Sequence, residues 1–331
     1  MKKNDHLRDI FSSFWSFVDF SCLHTAVKLG IFEFIGQNCY ATEEIGQKLN
    51  LKNRPLQYLL EHLCNIGYVQ NNNNKWELSE KSRLYLLNNS EFPLVKFMDR
   101  CYRLQKAYEK LNMIIETDRP DPNLQNETLG AFGEDESLTD MFASSMNSIS
   151  YGMAETVIKH IDLSEKITLL DIGSGWGIFS IIFAKKWKNL KCTLFDFANV
   201  LEGAKKMIQE HNMEPRFNLI SGNWNQDLPN GQFDVVVLSN ALHEEKGDIA
   251  KKLFHKSIDL VAQDGLLMVI GFLDINDPIA SIFSMNLQVE LGSDNTTLDW
   301  IREEIKETSI REKQIVRLSG GKSLWLGEKN K

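Results

Sequence analysis

The stretch that decides the fold is Leu169-Leu170-Asp171-Ile172-Gly173-Ser174-Gly175-Trp176-Gly177. An apolar run ends at an acidic residue, and three glycines then follow at alternate positions. This order predicts a strand, a tight turn that needs glycine backbone angles, and the start of a helix. The next predicted strand, residues 192–196, ends at Asp196, whose carboxylate can accept both hydroxyl groups of a ribose. Together the two stretches predict a site for a nucleoside cofactor.

The spacing of the glycines distinguishes between two classes of nucleoside cofactor. A dinucleotide fingerprint has its third small residue at a position that is isoleucine here, Ile178. Asp171 would repel a pyrophosphate, whereas it suits the ammonium and sulfonium groups of S-adenosylmethionine. We therefore expect S-adenosylmethionine. A glycine-rich turn without function is the alternative, and the ordered succession of strand, glycines, helix and second acid argues against it.

Bulk properties exclude several classes of protein. The chain has 331 residues, 43% of them hydrophobic, which is enough for two domains. Its net charge of −8 argues against a general nucleic-acid binder. Five cysteines lie far apart without a C-x-x-C pair, which is typical of reduced thiols and of neither a disulfide framework nor a zinc site. No apolar run of membrane-spanning length and no cleavage signal occurs, so we expect a cytoplasmic protein. Since no cluster of residues has metal-ligand spacing, we also expect no metal.

The first 117 residues form the first predicted domain. Apolar and aromatic residues recur at helical spacing over 7–35, two short helices follow, and a hairpin is expected over 68–78 with a turn at 71–74. This succession is that of a winged helix. Its second helix offers only Arg54 and His62 as basic groups, so we favour a structural or dimerisation role over DNA binding. A long helix over 91–117 leads to a predicted linker at 118–122.

The second predicted domain, 118–331, alternates strands with helices, which implies an α/β fold with a mostly parallel sheet. A helix over 138–161 precedes the sheet. The predicted strands are 168–172, 191–195, 217–221, 233–238 and 265–271, and the segments 312–318 and 322–326 form an antiparallel C-terminal hairpin. The predicted fold class is therefore α/β, with a Rossmann-like, mostly parallel sheet that ends in an antiparallel hairpin and follows an α-rich winged-helix domain.

Ligands of an open α/β sheet bind at the carboxyl ends of its strands. The candidates for cofactor binding that follow those ends are Asp171, Gly173, Gly175, Asp196, Phe197, Asn223, Trp224 and Ser239. His243, which follows the fourth strand, is the candidate general base, since an imidazole titrates near neutral pH and can take a proton from a hydroxyl. The six other histidines fall on predicted helices or helix ends and are interpreted as surface or packing residues.

As a set, these residues resemble the S-adenosylmethionine-dependent small-molecule O-methyltransferases of the plant caffeate and bacterial type. The resemblance covers nearly the whole chain and rests on motifs in family order: "LLDIGSGWG", "LFDFANVLEGA", "SGNWNQDLP", "FDVVVLSNALHEE", "DGLLMVIGF" and "GGKSLWLGEK". It implies a class I methyltransferase sheet, a winged-helix dimerisation domain and a homodimer that acts on an aromatic or polyketide-like small molecule. It also implies that His243 is the base and that Met146, Met285 and Asn286 contact the substrate.

The sequence departs from the family pattern at three points that bear on the site, one of which is Glu244-Glu245, where the family often has Asp-Trp after the base. Asn223 stands where the family has Asp, so an acceptor remains but its charge is lost. Where the family has the acid that orients the base, this sequence has Gly271. Asp274 or Glu290 could take the role of that acid. Three alternatives stay open: methylation at carbon, as in the pigment branch that "DFSCLHTAVKLGIFEFI" resembles, methylation at nitrogen, and a member of the family without methyl transfer. A winged-helix DNA-binding regulator is a further alternative.

Overall fold

The structure, a computed structural model, describes residues 2–120, 136–244 and 247–330. It divides into two compact units, Met1–Tyr102 and Arg103–Lys331. The predicted division between residues 117 and 118 stays a prediction, and the end of the predicted linker, 121–122, lies outside the described residues. Within the described part of the chain, no helix combines the length and the apolar character that a membrane span needs.

The first unit is a bundle of helices with a two-stranded wing, as predicted. Its core is apolar and is built around fully buried Phe32, Ile45 and Leu60. The elements are α1 (Lys2–Lys28), α2 (Ile31–Ile35), α3 (Thr42–Leu49), α4 (Asn53–Asn65), β1 (Val69–Asn72), β2 (Lys75–Leu78), α5 (Glu80–Tyr85) and the start of α6 (Val95–Tyr108).

The wing hairpin has a shorter turn than the run of four asparagines predicts. Asn71 and Asn72 pair with Trp76 and Lys75 in the antiparallel ladder. Only Asn73 and Asn74 form the turn, and both have positive φ, 53° and 62°. A two-residue turn with positive φ at both positions matches the twist of a hairpin, and asparagine tolerates it. The turn therefore uses two of the four asparagines, and the other two extend the strand.

The second unit is a seven-stranded sheet with helices on both faces. The predicted helix over 91–117 is broken into α6 and α7 (Leu111–Thr117), and α8 (Glu136–Val157) leads to the sheet. The elements that follow are β3 (Thr168–Ile172), α9 (Ile178–Lys186), β4 (Lys191–Asp196), α10 (Ala198–Glu210), β5 (Phe217–Ser221), β6 (Phe233–Ser239), α11 (Asp248–Asp259), β7 (Val261–Gly271), α12 (Pro278–Glu290), α13 (Leu298–Glu304), β8 (Ile310–Arg317) and β9 (Ser323–Lys329).

The order of the strands in the sheet is β5-β4-β3-β6-β7-β9-β8. The first five are parallel, and β9 runs antiparallel between β7 and β8, as predicted. Successive residues of the inner strands enter opposite cores: Val235 and Val237 join the core with α8, α9 and α10, whereas Val236 and Leu238 join the core with α11 and α13. Burial of both faces explains the continuous apolar runs of these strands. Because the five strands β3 to β7 run parallel, their carboxyl ends meet at one edge of the sheet.

Candidate active site

The glycine-rich loop between β3 and α9 is shaped by close packing. Gly173 donates its N–H to the carbonyl of Phe195 at 2.9 Å and has φ +68°. A methyl group at Gly173 would lie 2.7 Å from the Trp224 ring, so this position has no room for a side chain. Gly177, φ +77°, begins α9. Gly175, φ +56°, has open space where a side chain would stand, so a ligand can approach the main chain there.

Asp171 is a buried carboxyl group with one satisfied oxygen. Its Oδ2 accepts a hydrogen bond from the Ser180 hydroxyl at 2.7 Å, whereas its Oδ1 is buried and has no hydrogen-bond partner. Burial raises the pKa of Asp171 to about 7, with a smaller contribution from the charge of Asp196, and the Ser180 hydrogen bond acts in the opposite direction. The side chain is thus a carboxyl group that a cationic partner would ionise.

Asp196 holds the loop as well as facing it. Its Oδ2 accepts the N–H of Gly175 at 2.8 Å and its Oδ1 accepts the N–H of Phe197 at 2.7 Å. Burial raises the pKa of Asp196 to about 6, and these two backbone hydrogen bonds oppose that rise. Each oxygen keeps a second lone pair, so the carboxyl can still accept from a ligand. The sequence did not indicate that this acid also fixes the glycine loop.

The ends of β5 and β6 supply three further predicted residues. Trp224 lies against Gly173, which brings the ends of β3 and β5 together. The Oδ1 of Asn223 accepts the N–H of Asn225 at 2.9 Å, so one lone pair of this acceptor is used within its own turn. Ser239 ends β6, and its Oγ accepts a hydrogen bond from the Asn240 amide at 3.3 Å. The predicted cofactor residues therefore share one edge of the sheet.

His243 is held in a short 3₁₀ turn, Leu242–Glu244, directly after β6. The residue is buried, and its backbone carbonyl accepts the Ser293 hydroxyl at 2.9 Å. Its imidazole meets the Phe283 ring edge-on, with ring centroids 4.8 Å apart. Phe283 in turn stacks on Phe272 at 4.0 Å. The imidazole therefore faces an aromatic wall formed by the end of β7 and by α12.

The residues considered for orienting the base lie in different surroundings. Asp274 accepts a hydrogen bond from Arg317 at 2.8 Å. Glu290 is buried on α12, close enough to Tyr108 to contribute, after burial, to the raised pKa of that phenol. Gly271 ends β7 and pairs with Ser323. Either acid as the partner of His243 stays a prediction, and Glu245 lies outside the described residues.

The predicted substrate residues lie on two helices. Met146 is half-buried on α8, and Met285 and Asn286 are half-buried on α12, the helix that carries Phe283. Asn286 Oδ1 accepts a hydrogen bond from the Tyr108 hydroxyl. Next to Met146, the Oδ1 of Asn147 is buried without a partner. Among the described residues, no group of three or more His, Cys, Asp or Glu side chains could hold a metal ion.

Two hydroxyl groups of this site were not predicted from the sequence. Ser180 is the only polar residue in the run 178–184, which was a usable signal, because a hydroxyl in a buried helix needs a partner. Ser293, which supports His243, lies in a loop and carries no comparable signal. Both residues position a predicted site residue.

Two family models match the chain. The O-methyltransferase domain matches residues 108–296, more than half of the chain, and the O-methyltransferase dimerisation domain matches residues 11–88. The chain belongs to the O-methyltransferase family. The predicted enzyme class is thereby confirmed: it is an S-adenosylmethionine-dependent O-methyltransferase.

Relatives within the family span nearly the same length. A 3-hydroxy-5-methyl-1-naphthoate 3-O-methyltransferase of Streptomyces sahachiroi is 22% identical over 307 residues, 90% of this chain and 88% of the relative. An N,N-dimethyltransferase of Streptomyces rimosus is 21% identical over 315 residues, 92% and 90% of the two chains. The solved structure of human N-acetylserotonin methyltransferase with S-adenosylmethionine superposes with a TM-score of 0.86 at 17% identity and covers 98% of both chains. That likeness confirms the predicted class I methyltransferase fold.

Proposed function

We propose that this O-methyltransferase transfers a methyl group to a phenolic hydroxyl of a flat aromatic small molecule, with His243 as the general base. The single observation that carries the proposal is the position of His243. It lies at the edge of the sheet where the glycine loop also lies, and its ring packs against Phe283, which stacks on Phe272. The naphthoate substrate named for the Streptomyces sahachiroi relative agrees with an aromatic acceptor.

The residues at the glycine loop fit the cofactor. The unpartnered buried Oδ1 of Asp171 suits a cationic group, and the open space over Gly175 suits a close approach to the main chain. We assign Asp196 and Asn223 to the ribose and the adenine, and Phe197, Trp224 and Ser239 to the surrounding wall. When bound, S-adenosylmethionine supplies an electrophilic methyl group on a positively charged sulfur.

His243 would take the proton of the acceptor hydroxyl as the oxygen becomes the nucleophile. Its backbone carbonyl accepts the Ser293 hydroxyl and its ring packs against the edge of Phe283, and both contacts would help to hold the imidazole in place. The apolar rings of Phe283 and Phe272 would limit the access of water to the reacting oxygen. Met146, Met285 and Asn286 are proposed to contact the acceptor, and Asp274 or Glu290 to orient the base.

A test compares His243→Gln with His160→Gln, a matched substitution at an exposed histidine. We expect His243→Gln to lower kcat for phenolic acceptors by about 10²–10⁴-fold and to leave S-adenosylmethionine affinity unchanged. The His160 variant should behave as wild type. An unchanged kcat in His243→Gln would contradict the role of His243 as base.

Methylation at nitrogen is the second candidate function, and the N,N-dimethyltransferase of Streptomyces rimosus is the observation that favours it. A neutral amine is already nucleophilic, so a general base adds less to the rate. Paired acceptors that differ only in a hydroxyl or an amino group separate the candidates. If His243→Gln no longer methylates the hydroxyl compound, the result supports methylation at oxygen. If the variant still methylates the amino compound, the result supports methylation at nitrogen.

We also infer that the chain forms a homodimer through its first unit. Large apolar side chains on α1 are about half exposed or more, namely Leu7, Ile10, Phe11, Phe14, Trp15 and Phe17. A contiguous apolar face of this kind is typical of an interface. In the same unit, a mainly apolar cavity of about 520 Å³ is lined by residues that include Leu29, which follows α1, and Pro55 and Leu59 of α4. The match of the dimerisation domain to residues 11–88 supports the same surface.

A further inference from the structure

Lys322 is a buried lysine at the edge of the sheet where the candidate site lies. Gly271, at the end of β7, pairs with Ser323, so Lys322 stands immediately before β9 at the level of Phe272. Its side chain is enclosed, since the residue is only 3% exposed. Its Nζ lies over the Phe272 ring, 4.9 Å from the centroid. The mechanism proposed above does not use this amine.

No carboxylate of the described residues pairs with Lys322. Asp274 is engaged by Arg317, and the Oδ1 of Asp277 accepts the N–H groups of Ile279 and Ala280 at the start of α12. Burial alone lowers the pKa of Lys322 to about 7. An ammonium group removed from water without a counterion is unfavourable, and an anion brought by a ligand would relieve that cost.

A continuous run of ring contacts leads from Lys322 to the base. Lys322 contacts Phe272, Phe272 stacks on Phe283 at 4.0 Å, and Phe283 meets His243 at 4.8 Å. In the sheet, β6, β7 and β9 are neighbours, so this run extends away from the glycine loop after β3. Two rings therefore separate the amine from the imidazole, on the side of His243 that lies away from the glycine loop.

We propose that Lys322 binds a carboxylate of the aromatic methyl acceptor, on the end of the molecule opposite the hydroxyl that is methylated. The inference rests on the proposed function, since it takes the acceptor to lie along the Phe272–Phe283 wall with its hydroxyl at His243. Because two rings separate the amine from the imidazole, we expect a fused two-ring or longer acid to reach both groups better than a single aromatic ring.

The experiment uses calorimetric titration of the S-adenosylhomocysteine-loaded full chain with 6-hydroxy-2-naphthoate and with 2-naphthol, which lacks the carboxylate. We expect wild type to bind the acid at least tenfold more tightly at pH 6.5. Lys322→Met should remove that difference without weakening 2-naphthol, and Lys322→Arg should restore it. Equal binding of the two compounds by wild type, including no binding of either, overturns the proposal, and so does a preference that persists in Lys322→Met.

The pH profile of wild type provides a second readout that needs no variant. The ammonium form is present below about pH 7 and is lost above it, so the preference for the acid should fall about tenfold between pH 6.5 and 8.5. A preference that stays constant over this range contradicts the assignment. Because both readouts measure binding, they are independent of methyl transfer, and a failure of the base assignment would appear only in the kcat of His243→Gln.

Discussion

Asp171 and Asp196 are buried carboxyl groups whose pKa values, about 7 and about 6, both lie above the ordinary value. Burial favours the neutral form of each group. A cationic ligand favours the ionised form, so its binding must release protons in the range where the empty protein keeps these carboxyl groups protonated. We therefore expect these two candidate cofactor ligands to make cofactor binding depend on pH.

We predict that the affinity for S-adenosylmethionine falls as the pH drops from about 7.5 to 5.5, because the two carboxyl groups become protonated over this window. The stability of the empty protein should change in the opposite direction, since raised carboxyl pKa values stabilise the fold at low pH and this stabilisation is lost as the pH rises through them. Calorimetric titration and thermal melts across this range measure both. Asp171→Asn should flatten the upper part of each profile, and profiles identical to wild type would contradict the assignment.

Ser180 gives a prediction at the same scale, because its hydroxyl donates to Asp171. Ser180→Ala removes a hydrogen bond to a buried carboxyl and should lower the free energy of unfolding at pH 8 by about 2 kcal/mol. It should also move the pH midpoint of cofactor binding upward. Ser257→Ala is the matched control, a buried helical serine that donates to the carbonyl of Leu253. A control that shifts the midpoint equally would refute a specific role for Ser180.

At the scale of the element, the turn between β3 and α9 contains two glycines with positive φ and different surroundings. Gly173→Ala brings a methyl group within 2.7 Å of Trp224, whereas Gly175→Ala places it in open space. We expect Gly173→Ala to lose more than about 2 kcal/mol of stability and Gly175→Ala about 1 kcal/mol, the cost of the left-handed backbone.

Cofactor binding separates the two glycine variants further. If the space over Gly175 receives the cofactor, Gly175→Ala should lose S-adenosylmethionine affinity by tenfold or more while remaining folded. Denaturant unfolding and calorimetric titration of both variants test this. A Gly175→Ala protein that binds the cofactor as tightly as wild type would place the ligand elsewhere on the loop.

At the scale of the whole molecule, the exposed apolar face of α1 predicts self-association. Phe14 is 66% exposed and Ile167, before β3, is 56% exposed, so both positions tolerate a charge in the isolated chain. Phe14→Asp should convert a dimer to a monomer, whereas Ile167→Asp should leave it intact. Sedimentation velocity over a range of concentrations measures the state. A monomeric wild type, or a dimer insensitive to Phe14→Asp, would remove α1 from the interface.

Much of the fold was predictable from local pattern. The strands after residue 168 and the wing of the first unit follow from hydrophobic periodicity and turn residues, which are properties of neighbouring positions in the chain. The bounds of some elements were not. Asn71 and Asn72 were assigned to a turn because composition indicates turns, yet cross-strand pairing with Trp76 and Lys75 makes them strand residues. The long helix over 91–117 breaks before Leu111 without a proline or glycine to mark the break.

The sequence by itself determined the order of strands and helices, the class of the cofactor and the candidate residues at the strand ends. These depend on residue type and short spacing, which the chain carries locally. Tertiary structure alone decided which groups form hydrogen bonds or ring contacts with each other, and which buried polar groups have no partner. Three contacts join positions from different elements: the hydrogen bond from Ser180 to Asp171, the hydrogen bond from Ser293 to the carbonyl of His243, and the position of Lys322 over Phe272. Short sequence patterns do not predict them, because burial and its electrostatic cost depend on what surrounds a group in space.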